Sequence, residues 1–323
     1  MEARNIRVVA TALCAWALFS LIGPAVQGAG YRTANFTVDA PTPELAKEIG
    51  NMAEHWRREL AQEWLGKQLP NWSKPCPIKA LVGPRMGAGG ETSFVFDHGE
   101  VFGWRMQIQG SRERILDSVL PHEVTHTLFA SHFRQPLPRW ADEGACTTVE
   151  HVSEVSKQEK MLIHFLQTRK GIPFSSLFAM KEYPRDVLPL YAQGHSVAKF
   201  LIAQYGKSQF IKFLEDGLRD ENWPRAVQQN FGYKNLHTMQ DSWMNWIRAG
   251  RPPLQLAANV QSENIRTVSL EVPAGTIVRG QNPGTRSTPP PRQAQNWPAG
   301  NGTPQQETRT SVYDTRSKNT MLR

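Results

Sequence analysis

Hydrophobic and polar residues alternate with different periods along this 323-residue chain. Residues 8–22 are almost wholly apolar behind Arg4 and Arg7, and small residues lead to Gly28. That order reads as an export signal over residues 1–28, too short for the roughly 20 apolar residues of a spanning helix. Residues 34–38 alternate and predict a first strand. Thr42 and Pro43 open a helix through about residue 65, Thr42 as its cap and Pro43 in its first turn. Residues 78–82 predict a second strand and 87–90 a flexible loop. Residues 92–96 and 101–108 alternate on either side of 97–100, which predicts a hairpin.

Beyond the hairpin the period lengthens. Residues 157–168, 186–205, 208–218, 224–231 and 236–247 each carry apolar positions at helical spacing. Leu236, Met239, Trp243 and Trp246 form one such stripe and belong to a core. After residue 253 Pro, Gln, Asn, Thr and Arg dominate. Too little apolar surface remains there to offset the entropy of ordering, so 253–323 reads as a disordered tail, with at most a short strand pair at 267–278. Strands first and helices later predict an α+β class, with one folded domain over residues 29–252.

Charge adds one feature. The net charge is +8, and the stretch after residue 250 holds nine Lys/Arg against four Asp/Glu. The remainder is therefore close to neutral. A basic tail favours loose contact with anionic envelope surfaces. No nucleic-acid reading motif accompanies it, so no nucleic-acid partner is expected. We expect a monomer, exported to the periplasm or beyond, with an uncleaved N-terminal membrane anchor as the minority reading. Removal of the signal takes Cys14 and leaves Cys76 and Cys146, which permits one disulfide or two buried thiols.

The chemistry concentrates in His122-Glu123-Val124-Thr125-His126. Residues four apart share a helix face, so His122 and His126 can close on one zinc ion, with Glu123 placed as general base toward water. Pro121 is tolerated in a first helical turn, which favours either a helix start near residue 118 or an earlier start near 111 with a kinked junction. A catalytic zinc usually takes a third protein ligand. Trp140-Ala141-Asp142-Glu143-Gly144 follows, after a turn at 131–138 that contains two prolines.

These two runs resemble the gluzincin metallopeptidases, in particular the peptidase MA-like group, in which a Trp-x-x-Glu-Gly helix supplies the third ligand. The resemblance makes Glu143 that ligand. Aminopeptidase-type members have a slightly longer gap and an Asn where this chain has Asp142. Glu150, seven residues after Glu143, and Asp142 are candidates to hold the free ring nitrogen of a ligand His. Tyr191-Ala192-Gln193-Gly194-His195 is similar to the segment that provides the oxyanion donor in that group, which points to Tyr191 first and His195 second. The resemblance also implies a sheet-edge strand at 101–108 along which an extended peptide substrate lies. His132 and His151 have no partner at ligand spacing and read as surface residues.

The expected protein is a zinc-dependent metallopeptidase acting on peptides or proteins, with Zn2+ as its one cofactor. Two other classes compete. One is a peptidase-like zinc-binding module without catalysis. The other is an envelope-tethering protein that works through its basic tail.

Overall fold

The computed structural model describes residues 29–254 and the pair 312–313. The expected signal at 1–28, the strand pair at 267–278 and most of the 253–323 tail lie outside the described residues. The described residues fall into two compact units, one comprising the residues up to Lys199 together with the pair 312–313, and one beginning at Phe200.

The first unit is built on strands β1 (Ala29–Arg32), β2 (Phe36–Ala40), β3 (Cys76–Val82), β4 (Gly89–Asp97) and β5 (Glu100–Gly110). Helix α1 (Pro43–Leu65) joins β2 to β3. With β6 (Val312–Tyr313) the strands form one mixed sheet in the order β1-β2-β3-β5-β4-β6. The class is α+β. Period-two alternation decides which face is covered. Phe36, Val38, Ile78, Ala80, Trp104, Met106 and Ile108 are buried, while Lys79, Leu81, Arg105 and Gln107 are exposed.

The hairpin forms as expected. His98 and Gly99 make its two-residue turn with φ of 49° and 76°, the positive values that a turn matched to strand twist demands. Three details differ from the sequence reading. The first expected strand begins at Phe36 and has β1 before it. Gly89 and Gly90 belong to β4 rather than to a loop. The strand expected at the edge is interior, because β3 pairs in parallel along one side of β5 and β4 folds back along the other. The outer position beside β5 is thus held by β4, and β6 pairs with it at Ser93 and Phe94.

Helix α1 follows its end signals. Thr42 Oγ1 accepts from the Leu45 N–H at 3.3 Å, and Gly66 ends the helix at φ 66°. Its buried face carries Trp64, which meets Phe129 edge-on with ring centroids 5.1 Å apart.

After β5 the chain coils through α2 (Arg112–Arg114), a π-helical turn (Ile115–Val119) and α3 (Leu120–Phe133). Of the two expected arrangements the earlier start is seen: the helical run begins at Arg112, and Ser111 Oγ caps it by accepting the Arg114 N–H at 3.4 Å. The π turn explains how Pro121 is accepted. Leu120 N–H reaches back five residues to Ile115 O. In the same pattern Leu116 O looks to residue 121, which has no N–H. The indole N–H of Trp56 on α1 fills that carbonyl at 3.0 Å.

Helices α4 (Arg139–Thr147), α5 (Val152–Gln167), α6 (Phe174–Phe178) and α7 (Leu188–Leu218) follow. Helix α6 is a five-residue element that carries no readable period. Two separately expected helices merge in α7, broken only where Gly206 takes φ 79° and ψ 164°. In the second unit, α8 (Trp223–Phe231) and α9 (Leu236–Arg248) start from side-chain caps at Asn222 and Asn235. Met239, Trp243 and Trp246 are buried, as the stripe predicts. Cys76 and Cys146 are both free, buried thiols, so the disulfide alternative is not realised. Among the described residues no helix is long and apolar enough to cross a membrane.

Removing the indole donor exposes the cost of the proline. Trp56→Phe is expected to destabilise the protein by about 1–3 kcal/mol, the range for an unsatisfied carbonyl. Urea unfolding monitored by circular dichroism checks it, and an unchanged midpoint contradicts this account of Pro121.

Candidate metal centre

Helix α3 presents His122, Glu123 and His126 in its first two turns, all three buried. The imidazole rings stand 5.0 Å apart between centroids, and their Nε2 atoms approach to 3.2 Å. Glu143 enters from α4, with Oε2 3.5 Å from His122 Nε2 and 3.8 Å from His126 Nε2. Three potential ligand atoms therefore face one small volume. Each separation is close to the roughly 3.3 Å that two ligands of a tetrahedral ion span when bonds are about 2.0–2.1 Å.

The outer ring nitrogens are tied down. His122 Nδ1 donates to Glu150 Oε1 at 2.7 Å, and His126 Nδ1 donates to Asp142 Oδ1 at 2.9 Å. A carboxylate can only accept, so each bond puts the proton on Nδ1 and the lone pair of a neutral ring on Nε2. Asp142 and Glu150 were alternative candidates for one task; each performs it for a different histidine. Glu150 does so from outside the expected helix. Helix α4 ends at Thr147, and Glu150 sits in the turn that follows. Ser118, in the π turn, holds that turn by accepting the His151 N–H at 3.1 Å.

Helix α4, which carries Glu143, also lies almost backbone to backbone on the first part of α7. A Cβ built at Gly144 would strike the carbonyl of Gly194, and one at Gly194 would lie 2.7 Å from Trp140 O. The glycines after Glu143 and before His195 thus serve close approach rather than turn geometry.

Glu123 faces β4. Its Oε2 accepts from Thr92 Oγ1 at 2.6 Å, and Gly90 leaves the room it occupies, since a Cβ there would come 2.7 Å from Glu123 Cγ. This is why position 90 of β4 is a glycine.

Electrostatics follow from burial. Glu123, Asp142, Glu143 and Glu150 surround two imidazoles, and every one is buried. Burial opposes charge on His122, but the carboxylates of Glu143 and Glu150 outweigh it and raise its pKa to about 10. His126 is also raised, with Asp142 and Glu143 overcoming burial. Burial pushes Glu123 above the usual carboxylate range, against the pull of His122 and His126. Four carboxylates out of water call for positive charge, which protons or a metal cation can supply.

Cys146 adds a second possible ligand set. His122, His126 and Cys146 form a buried group whose ligand atoms all lie within 4.8 Å of one another, and such a group could hold a metal ion. Cys146 Sγ, however, lies 3.4 Å from His126 Nδ1, the nitrogen already engaged by Asp142. Burial, then Asp142 and Glu143, push its thiol well above the ordinary range, away from the thiolate that binds metals.

The remaining expected residues lie on α7. Tyr191 and His195 are buried, and the Tyr191 ring lies 6.5 Å from that of Tyr183. His132 is partly exposed and His151 exposed; the latter caps α5 through the Ser153 N–H at 3.3 Å. Two site residues were invisible to the sequence reading. Thr92 comes from a strand 31 residues before Glu123, and the Tyr183 hydroxyl, from the segment before α7, donates to Glu143 Oε1. Neither has a spacing that could have marked it. Burial, and then Glu143, raise the Tyr183 pKa, so the phenol stays protonated.

The sequence matches no model of a known protein family, and no curated protein is significantly similar to it.

The helix contact sets one expectation. Gly144→Ala is expected to cost about 1–3 kcal/mol, as overpacking a tight contact does. A melting temperature equal to that of the unaltered chain would show that α4 and α7 can part without loss.

Proposed function

We propose that the chain is a zinc metallopeptidase of gluzincin type, hydrolysing peptide bonds. One observation carries this reading: two Nε2 atoms and Glu143 Oε2 lie 3.2–3.8 Å from one another, with both Nδ1 atoms held by carboxylates. The donor set suits zinc, which takes imidazole nitrogen and carboxylate oxygen and in catalytic sites uses three protein ligands. We assign His122, His126 and Glu143 as those ligands. Cys146 is left out, because its sulfur sits at the engaged nitrogen of His126.

When bound, zinc acts as a Lewis acid and lowers the pKa of water toward about 7. The other tasks belong to the chain. Glu123 lies next to the first ligand and is fixed by Thr92, so its carboxylate has one orientation. It accepts the proton of the attacking water and passes it to the leaving amine. Its raised pKa brings it nearer the range a general base needs. Asp142 and Glu150 keep the imidazoles aimed and partly offset the charge of the ion. Tyr191, with His195 as second candidate, supplies the hydrogen bond to the oxyanion from α7. Strand β4, which carries Thr92, adjoins Glu123, and it rather than β5 lies on the outer side of the pair.

Elemental analysis after zinc supplementation is expected to give about one ion per chain, one catalytic ion being the pattern of such sites. Glu143→Ala should lose the metal and Cys146→Ser should keep it; the reverse result moves the site to the cysteine. On a diverse peptide library, Glu123→Gln should retain zinc while cleavage drops by about 10²–10⁴-fold. Full activity in Glu123→Gln, or protein that never takes up metal, defeats the proposal.

A further inference from the structure

We infer that Tyr183 is a positioning residue for the metal centre, locking the Glu143 carboxylate so that a single oxygen faces the two imidazoles. This rests on the reading of Glu143 as a ligand. Arg139 and Glu143 are four residues apart on α4, about 6 Å along the helix axis. A tyrosine side chain is of similar length, and Tyr183 spans that turn. Its ring lies over the Arg139 guanidinium, with Cζ 4.4 Å from the ring centroid. Its hydroxyl donates to Glu143 Oε1. Oε2 is then the oxygen left toward His122 and His126.

The segment carrying Tyr183 is held by the same helix end. Arg139 Nε donates to Lys181 O at 2.8 Å, and the Arg139 N–H donates to Met180 O at 3.1 Å. Arg139 thus fixes both the backbone beside Tyr183 and the seat of its ring. A carboxylate with two free oxygens can rotate or chelate an ion through both. Engagement of Oε1 removes the second option and keeps one coordination position open. Partners of ligand residues elsewhere affect metal affinity by about 10–100-fold.

The test uses the full chain loaded with Co2+ as a spectroscopic substitute for zinc. Zinc affinity is measured by competition with a chromophoric chelator, and the visible Co2+ spectrum reports coordination number. Tyr183→Phe keeps the ring over Arg139 and removes only the hydroxyl. It is expected to weaken zinc binding by about 10–100-fold and to change the Co2+ spectrum toward higher coordination number. Circular dichroism confirms that the variant is folded. Arg139→Lys, which loosens the ring and leaves the hydroxyl, is expected to change both readouts in the same direction by less. It carries the test if Tyr183→Phe does not fold. Unchanged affinity and spectrum in a folded variant overturn the inference while the metal site stands. An unaltered chain that binds neither ion overturns the metal reading itself.

Discussion

Four carboxylates packed out of water around two histidines form the constraint on which the rest of this unit depends. An isolated buried charge is too costly to keep, so the group holds together only with compensating positive charge inside it. The raised pKa values of His122 and His126 express that demand in the metal-free chain. A dication at the point where the Nε2 atoms meet Glu143 would answer the same demand without protons. Asp142 and Glu150 act as counter-charges to the rings and, with such an ion in place, would also be the anchors that aim each ring.

Holding these groups in place requires unusual backbone, and the backbone has identifiable causes. The π turn before α3 accommodates Pro121, leaves one carbonyl to the Trp56 indole, and offers Ser118 to the turn that carries Glu150. The Gly144–Gly194 contact seats α4, which carries Glu143, tightly on the first part of α7. Gly90 clears space for Glu123 near the start of β4, at a strand position where glycine otherwise weakens pairing. Each local irregularity sits one step away from a site residue. Distortion of this kind persists where surrounding packing over-determines it, as the edge-on Trp64–Phe129 pair does between α1 and α3.

The competition between Glu143 and Cys146 turns on which face of an imidazole each one meets. Distance alone admits the cysteine, whose sulfur is near both histidines. Direction separates them: Glu143 meets the Nε2 side, and Cys146 meets the Nδ1 side already bonded to Asp142. A protonated thiol on that side behaves as a small apolar filler behind the ring. Tyr183 completes the frame around Glu143 from the opposite end of the carboxylate.

What the chain's order of residues settled by itself was local. Thr42 and Pro43 started α1, His98-Gly99 sat between alternating runs, and the spacing of His122, Glu123 and His126 placed them within two turns of one helix, because such signals act across a few residues. Trp140 to Gly144 marked Glu143 only through its likeness to a known run. Tertiary structure alone decided that Glu150 and Asp142 divide the two rings, that Thr92 and Tyr183 hold Glu123 and Glu143, and that β5 lies inside the sheet. Those facts depend on segments distant in sequence meeting across packed surfaces. No period, cap or turn residue encodes such a meeting, since it arises from where burial and hydrogen-bond satisfaction bring whole elements together.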